Sequence, residues 1–101
     1  MYTLTWHKSL KIGKTDLYTL DLYEWAQGED ILSLVPSALN ALTTIENGII
    51  SDNLKGFKSI VGVRVTGLAQ GVEVIKLEYT TATRSDSVTV NLIVGETCQN
   101  L

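Results

Sequence analysis

A single cysteine, Cys98, and a single histidine, His7, are all the thiol and imidazole this chain of 101 residues carries. One thiol cannot close an internal disulfide, and together with one imidazole it cannot build the four-ligand cage of a structural zinc. Nucleophilic catalysis needs a base beside the nucleophile and an acid to orient it, whereas His7 sits next to Lys8 in an ordinary polar segment and reads as solvent-facing. Basic charge is scarce too. Eight Lys and Arg against eleven Asp and Glu leave a net charge of -3, which offers no concentrated basic face to displace counterions from nucleic acid. No apolar run reaches the ~20 residues that cross a bilayer, since Asp21, Glu24, Asp30 and Lys76 interrupt every candidate. The opening residues also lack the basic region, apolar run and small-residue cleavage site of a secretory leader. These absences predict a soluble protein made in the cytoplasm, with no catalytic, metal-binding or cofactor-binding residues, no cofactor, no nucleic-acid partner and no membrane insertion.

What the chain does have is period-2 alternation. In residues 87–94, Val88, Val90, Leu92 and Val94 share one face and Ser87, Thr89 and Asn91 the other, the pattern of a half-buried strand. Residues 72–80 set Ile75, Leu77 and Tyr79 against Val74, Lys76 and Glu78, and the short polar link 81–86 predicts an antiparallel hairpin with the following strand. Upstream, Val61, Val63 and Val65 oppose Gly62, Arg64 and Thr66 before Gly67-Leu68-Ala69-Gln70-Gly71, read as a hairpin turn. Tyr18, Leu20 and Leu22 alternate with Thr19 and Asp21, and the run from Glu24 to Asp30 breaks that strand with a loop or one helical turn. Residues 31–35 form a short apolar run ending at the only proline, Pro36, which favours an edge or a strand end. Residues 42–45, then Glu46-Asn47-Gly48 and Ile49-Ile50, predict a tight hairpin, because Asn-Gly takes up the left-handed geometry such turns require. Residues 2–6 read as an opening strand, and Ala38, Leu39, Ala41 and Leu42 leave a short helix over 37–45 as a competing reading.

About seven short strands with turns every 8 to 12 residues predict an all-β fold, a single Ig-like β-sandwich of antiparallel strands. The domain spans residues 1–95, followed by a polar tail over 96–101 that holds Cys98. Its centre is expected at Trp25, Tyr18, Leu20, Ile75, Leu77, Val63 and Val90.

The remaining constellations carry little chemistry. Glu29-Asp30 has the residue types of a calcium site or of half a glycosidase dyad, but adjacent carboxylates at a turn are ordinarily solvated. The loop from Gly67 to Gly71 lacks the Lys-Ser/Thr of a phosphate loop. Lys8, Lys11 and Lys14 form a small basic stripe, read as solvated lysines rather than an acidic-partner site. Trp25 reads as core, while Trp6 and Tyr2 stay open as exposed aromatics.

The run Asp16-Leu17-Tyr18-Thr19-Leu20-Asp21, then Trp25-Ala26 and Gly28-Glu29-Asp30-Ile31, resembles the start of small Ig-like proteins of tailed bacteriophages. Val63-Arg64-Val65-Thr66-Gly67, Leu77-Glu78-Tyr79-Thr80-Thr81 and the run from Asp86 to Val94 resemble their last three strands, so that the resemblance extends from Lys11 to Glu96. It implies a non-enzymatic structural virion protein in the tail region, an adaptor joining tail or baseplate to fibre or tailspike proteins in multiple copies. A capsid-decorating or carbohydrate-binding Ig-like module, working through exposed aromatics such as Trp6 or Tyr2, is the alternative. The candidate partner contacts are Ile49, Ile50, Leu54, Phe57 and Lys58, in a segment too irregular to bury all its apolar side chains.

Overall fold

A computed structural model of the chain describes residues 3–95; Tyr2, Cys98 and the tail 96–101 lie outside the described residues. The elements run β1 (Thr3–Leu10), β2 (Thr15–Asp21), the one-turn helix α1 (Tyr23–Ala26), β3 (Ser33–Ala38), β4 (Thr43–Ile45), β5 (Ile49–Asp52), β6 (Lys58–Gly67), β7 (Gly71–Thr80) and β8 (Ser85–Val94). One sheet has the order β1-β8-β7-β3 and the other β2-β6-β4, with β5 also paired to β6. The alternating apolar rows face inward and meet between the sheets: Val61, Val63 and Val65 from one, and Ile75, Leu77, Val88, Val90 and Leu92 from the other, are all buried. The orders β2-β6-β4 and β8-β7-β3 correspond to the two sheets of an immunoglobulin-like sandwich. The expected centre holds for Tyr18, Val63, Ile75, Leu77 and Val90, whereas Leu20 and Trp25 pack half-buried against its margin.

The long hairpin forms as the alternation predicts, with β7 and β8 paired from Gly71↔Val94 to Thr80↔Ser85. Pro36 lies inside the edge strand β3 instead of ending it. Leu39 N–H donates to the Val74 carbonyl, and counting back in steps of two puts residues 37, 35 and 33 on the β7 side of the ladder. Pro36 therefore turns its nitrogen to the open side, where no N–H is required.

Three features depart from the sequence reading. The strands are not all antiparallel, because β1 pairs parallel to β8. Parity explains this: the turns at 11–14 and 67–71 each reverse the chain between sheets, and β2/β6 and β7/β8 are antiparallel. The last strand therefore runs the same way as the first. The loop 67–71 is not a hairpin turn, since β6 has β2 on one edge and β4 and β5 on the other and hands the chain to β7 in the opposite sheet. Gly67 sits where a Cβ would come within 2.8 Å of the Lys11 carbonyl oxygen.

Asn47-Gly48 makes no hairpin either. Ile45 faces Val65 and Ile49 faces Gly62 on the same strand, so residues 46–48 oppose only 63 and 64, and β4 and β5 form one edge interrupted by a bulge. A hairpin would have left half of the long β6 edge unpaired. Gly48 is needed here for closeness, because a Cβ would stand 2.5 Å from Leu34 Cδ2. The short helix over 37–45 is absent; those residues end β3, turn, and begin β4.

Glu73 is the charged member of an inner row. It is buried, and its carboxylate accepts four bonds: Oε2 from Asn40 N–H at 2.8 Å and Val74 N–H at 3.0 Å, and Oε1 from Leu42 N–H and the Thr43 hydroxyl, both at 2.9 Å. This carboxylate satisfies the turn between β3 and β4, where Ala41 takes a φ of 57°.

Candidate interaction surface

Three connections gather at one end of the sandwich: residues 22–32 with α1, residues 53–57, and residues 81–84. The first is nucleated by Asp21, whose Oδ1 accepts the Tyr23 N–H at 3.0 Å and the Ser59 hydroxyl at 2.8 Å. Asn53 donates in turn to Ser59 Oγ at 2.8 Å, so one relay ties the 53–57 turn to the end of β2. Asn53 Oδ1 also accepts from Lys55 N–H at 2.8 Å and Phe57 N–H at 3.3 Å, the local turn-forming chemistry of asparagine. Its own N–H closes the loop on the Phe57 carbonyl at 2.8 Å.

The apex of this ordered turn is Leu54, fully exposed. Beside it Tyr23 and Phe57 pack with ring centroids 5.7 Å apart, and Lys55 Nζ lies 5.1 Å from the Tyr23 ring centre. A hydrogen bond to Tyr23 raises the pKa of the Lys55 ammonium. Three shallow hollows border Tyr23: one of about 370 Å³ runs from Asp21 to Trp25, one of about 380 Å³ reaches Gln27 and Phe57, and one of about 200 Å³ reaches Asn53 and Leu54. The rim is charged, with Lys58 and Asp52 paired at 3.3 Å. Further round the same end, Arg84 stacks 4.5 Å over Trp25 and donates to its carbonyl, while Tyr79 meets Trp25 edge-on at 4.7 Å. Glu29 accepts the Thr83 hydroxyl at 2.9 Å; hydrogen bonds from Thr81 and Thr83, then the Arg84 charge, lower its pKa.

Of the five sequence candidates, Leu54, Phe57 and Lys58 are at this end. Ile49 and Ile50 are not part of the exposed group: both are half-buried in β5, and Ile50 packs on the core. Tyr23 is the member the sequence reading missed, whereas Lys55, with Asp52 and Lys58, belongs to the charged rim that the sequence places around the apolar segment. Tyr23 lies thirty residues before the turn and only the fold unites them, although its place just after an alternating strand was a signal that it leaves the core.

Elsewhere the chemistry is plain. His7 is exposed on β1. Lys8 is bound to Asp16 at 3.1 Å and lies 5.0 Å from the Tyr18 ring, so the basic stripe is broken at its first member. Trp6 is half-buried on Tyr18 at 5.2 Å, with its indole N–H donated to the Thr19 carbonyl at 2.9 Å. Among the described residues no group of three or more His, Cys, Asp or Glu side chains could hold a metal ion. None of the described helices is long and apolar enough to cross a membrane.

No protein-family model matches the sequence, and no curated protein does. Solved structures resemble the fold. Domains 1–6 of the surface-layer protein SbsC align with a TM-score of 0.50 at 21% identity, over 92% of this chain and 12% of that one. A separate structure of SbsC domains 4 and 5 gives 0.49 at 19% identity, over 85% of this chain and 46% of that one. The cysteine protease inhibitor EhICP2 from Entamoeba histolytica gives 0.45 at 18% identity, over 92% of this chain and 93% of that one. At 21% identity the likeness to SbsC is one of fold alone.

Proposed function

We propose that this chain is a structural protein of a tailed-bacteriophage particle, a non-catalytic adaptor joining tail or baseplate to fibre or tailspike proteins in multiple copies. The motif resemblance from Lys11 to Glu96 supports the phage setting. The observation that carries the docking role is Leu54, a leucine held wholly in solvent on a turn that Asn53 orders from within. Fixed in advance, such a turn loses little conformational freedom when a partner covers it. An exposed aliphatic apex, flanking aromatics and a charged rim have the anatomy of a protein contact. At two of the sheet edges strand addition is disfavoured, because Pro36 removes a donor from the open side of β3 and Trp6 occupies the Thr19 carbonyl of β2.

The test is co-sedimentation of the purified chain with tail and baseplate assemblies. Leu54→Glu should abolish binding and leave the unfolding midpoint unchanged, since that side chain packs on nothing. Wild-type binding by both Leu54→Glu and Tyr23→Ala would move the surface elsewhere. Binding to empty capsids or glycans in place of tails would sink the adaptor reading.

A further inference from the structure

The bulge between β4 and β5 holds a reactive pair that the docking end does not use. Asn47 is exposed, and residues 46–48 lie outside both strands. The neighbouring Glu46 N–H is engaged by the Arg64 carbonyl at 3.0 Å. Among the described residues, neither the Gly48 amide nor the Asn47 carboxamide makes a hydrogen bond. We propose that Asn47 is a site of spontaneous covalent modification, closing on the Gly48 amide to a succinimide that opens to aspartate or isoaspartate.

The chemistry needs only water. The Gly48 nitrogen gives up its proton and bonds to Asn47 Cγ; the Cγ–Nδ2 bond breaks, and ammonia leaves carrying that proton. Water then adds to one of the two ring carbonyls and breaks a ring C–N bond, so that one water enters for one ammonia lost. The attacking nitrogen belongs to a residue with no Cβ to obstruct its approach. The other asparagines precede Ala41, Leu54, Leu92 and Leu101. Two of them also have occupied carboxamides, Asn40 on the Val72 carbonyl at 2.9 Å and Asn53 on Ser59 at 2.8 Å.

The position gives the product structural weight. Isoaspartate adds a methylene to the main chain of a segment that already opposes two residues of β6 with three. Gly48 is wedged under Leu34, so the lengthened link must displace Leu34 or the Ile49↔Gly62 pairing. Either product also places a new carboxylate beside Glu46. This modification is independent of the adaptor reading.

The full folded chain is incubated in heavy-oxygen water at mildly alkaline pH, and its peptides are mapped by mass for replacement of NH2 by labelled OH, with isoaspartate identified by fragmentation. Conversion at Asn47 is expected to run roughly tenfold or more faster than at Asn40, Asn53 or Asn91, as the unhindered glycine amide requires. Gly48→Ala should slow it, but its Cβ forces Leu34 to move. Asn47→Gln is therefore the second variant, which keeps the fold and should lose the mapped conversion. Conversion at Asn47 no faster than at Asn53, or conversion confined to denatured chain, overturns the proposal.

Discussion

Replacing Glu73 with glutamine keeps the shape of the side chain and turns one of its two acceptor oxygens into a donor. The best the amide can do is keep its oxygen toward Asn40 and Val74 and offer its NH2 to the Thr43 hydroxyl, which can rotate to accept. That leaves the Leu42 N–H, 2.9 Å from Oε1 in the wild type, facing another donor. An unsatisfied buried N–H costs about 1–3 kcal/mol, and weakening two charge-assisted bonds to neutral ones adds about 1 kcal/mol more. Relief from burying the charge offsets part of this. A net loss of about 2–3 kcal/mol is expected, a large share of the 5–15 kcal/mol that holds such a domain together. With a urea dependence of about 1 kcal/mol per molar for this size, the unfolding midpoint should fall by about 2–3 M. Amide exchange at Asn40 and Leu42 should quicken ahead of that in β7. A loss under about 0.5 kcal/mol would mean the turn between β3 and β4 does not depend on Glu73, and the reasoning fails.

The Tyr18 hydroxyl is buried with no hydrogen-bond partner, so Tyr18→Phe should leave stability unchanged or higher by up to about 1 kcal/mol. Burial, then the Asp16 charge, raise that phenol's pKa in the folded chain. Its contribution is full below the unfolded value of about 10 and is lost as pH rises through the folded one; urea midpoints above pH ~10 should fall less steeply in the variant. The Asp16 carboxyl is held below its usual range by the bond to Lys8 and then by the Leu17 N–H. Its contribution is present above the unfolded value and lost as pH falls through the folded one, so Asp16→Asn should flatten the acid side of a stability–pH curve. Trp25→Ala should cost about 2–3 kcal/mol in equilibrium unfolding, below the 3–5 of a fully buried tryptophan; a loss under about 1 kcal/mol would place the ring outside the core.

Strands β6, β7 and β8 were legible because each has one buried and one wetter face, and alternation records that difference directly. The reading failed where a local signal met a longer-range demand. Asn47-Gly48 carries the residues of a two-residue turn, yet a ten-residue β6 offers an edge long enough for both flanking strands. The parallel pairing of β1 depends on how many times the chain reverses between sheets, which no single segment encodes. Glu73 was visible in principle, being in phase with Ile75, Leu77 and Tyr79, but its four donors come from residues 40–43 and from Val74. At the candidate site, the broken pattern around Leu54 and Phe57 showed that something stays outside. It did not show that Ile50 turns inward or that Tyr23 joins the group.

The parallel pairing of the first and last strands also fixes how the domain meets tension. Thr3 lies at the start of β1 and Val94 at the end of β8, in a molecule whose longest dimension is 44 Å. Pulling these two points apart slides one strand along the other, so the ladder from Thr3↔Thr89 to Leu10↔Val94 is loaded in shear with its bonds sharing the force. Pulling apart the two arms of the β7–β8 hairpin at their open end would peel its bonds one after another. The Trp6 indole, bonded to Thr19 in the opposite sheet, acts as a cross-tie in the stretched strand. Resistance of this kind resides in the unfolding barrier and not in the equilibrium stability, so a domain of modest stability can hold as a link under load.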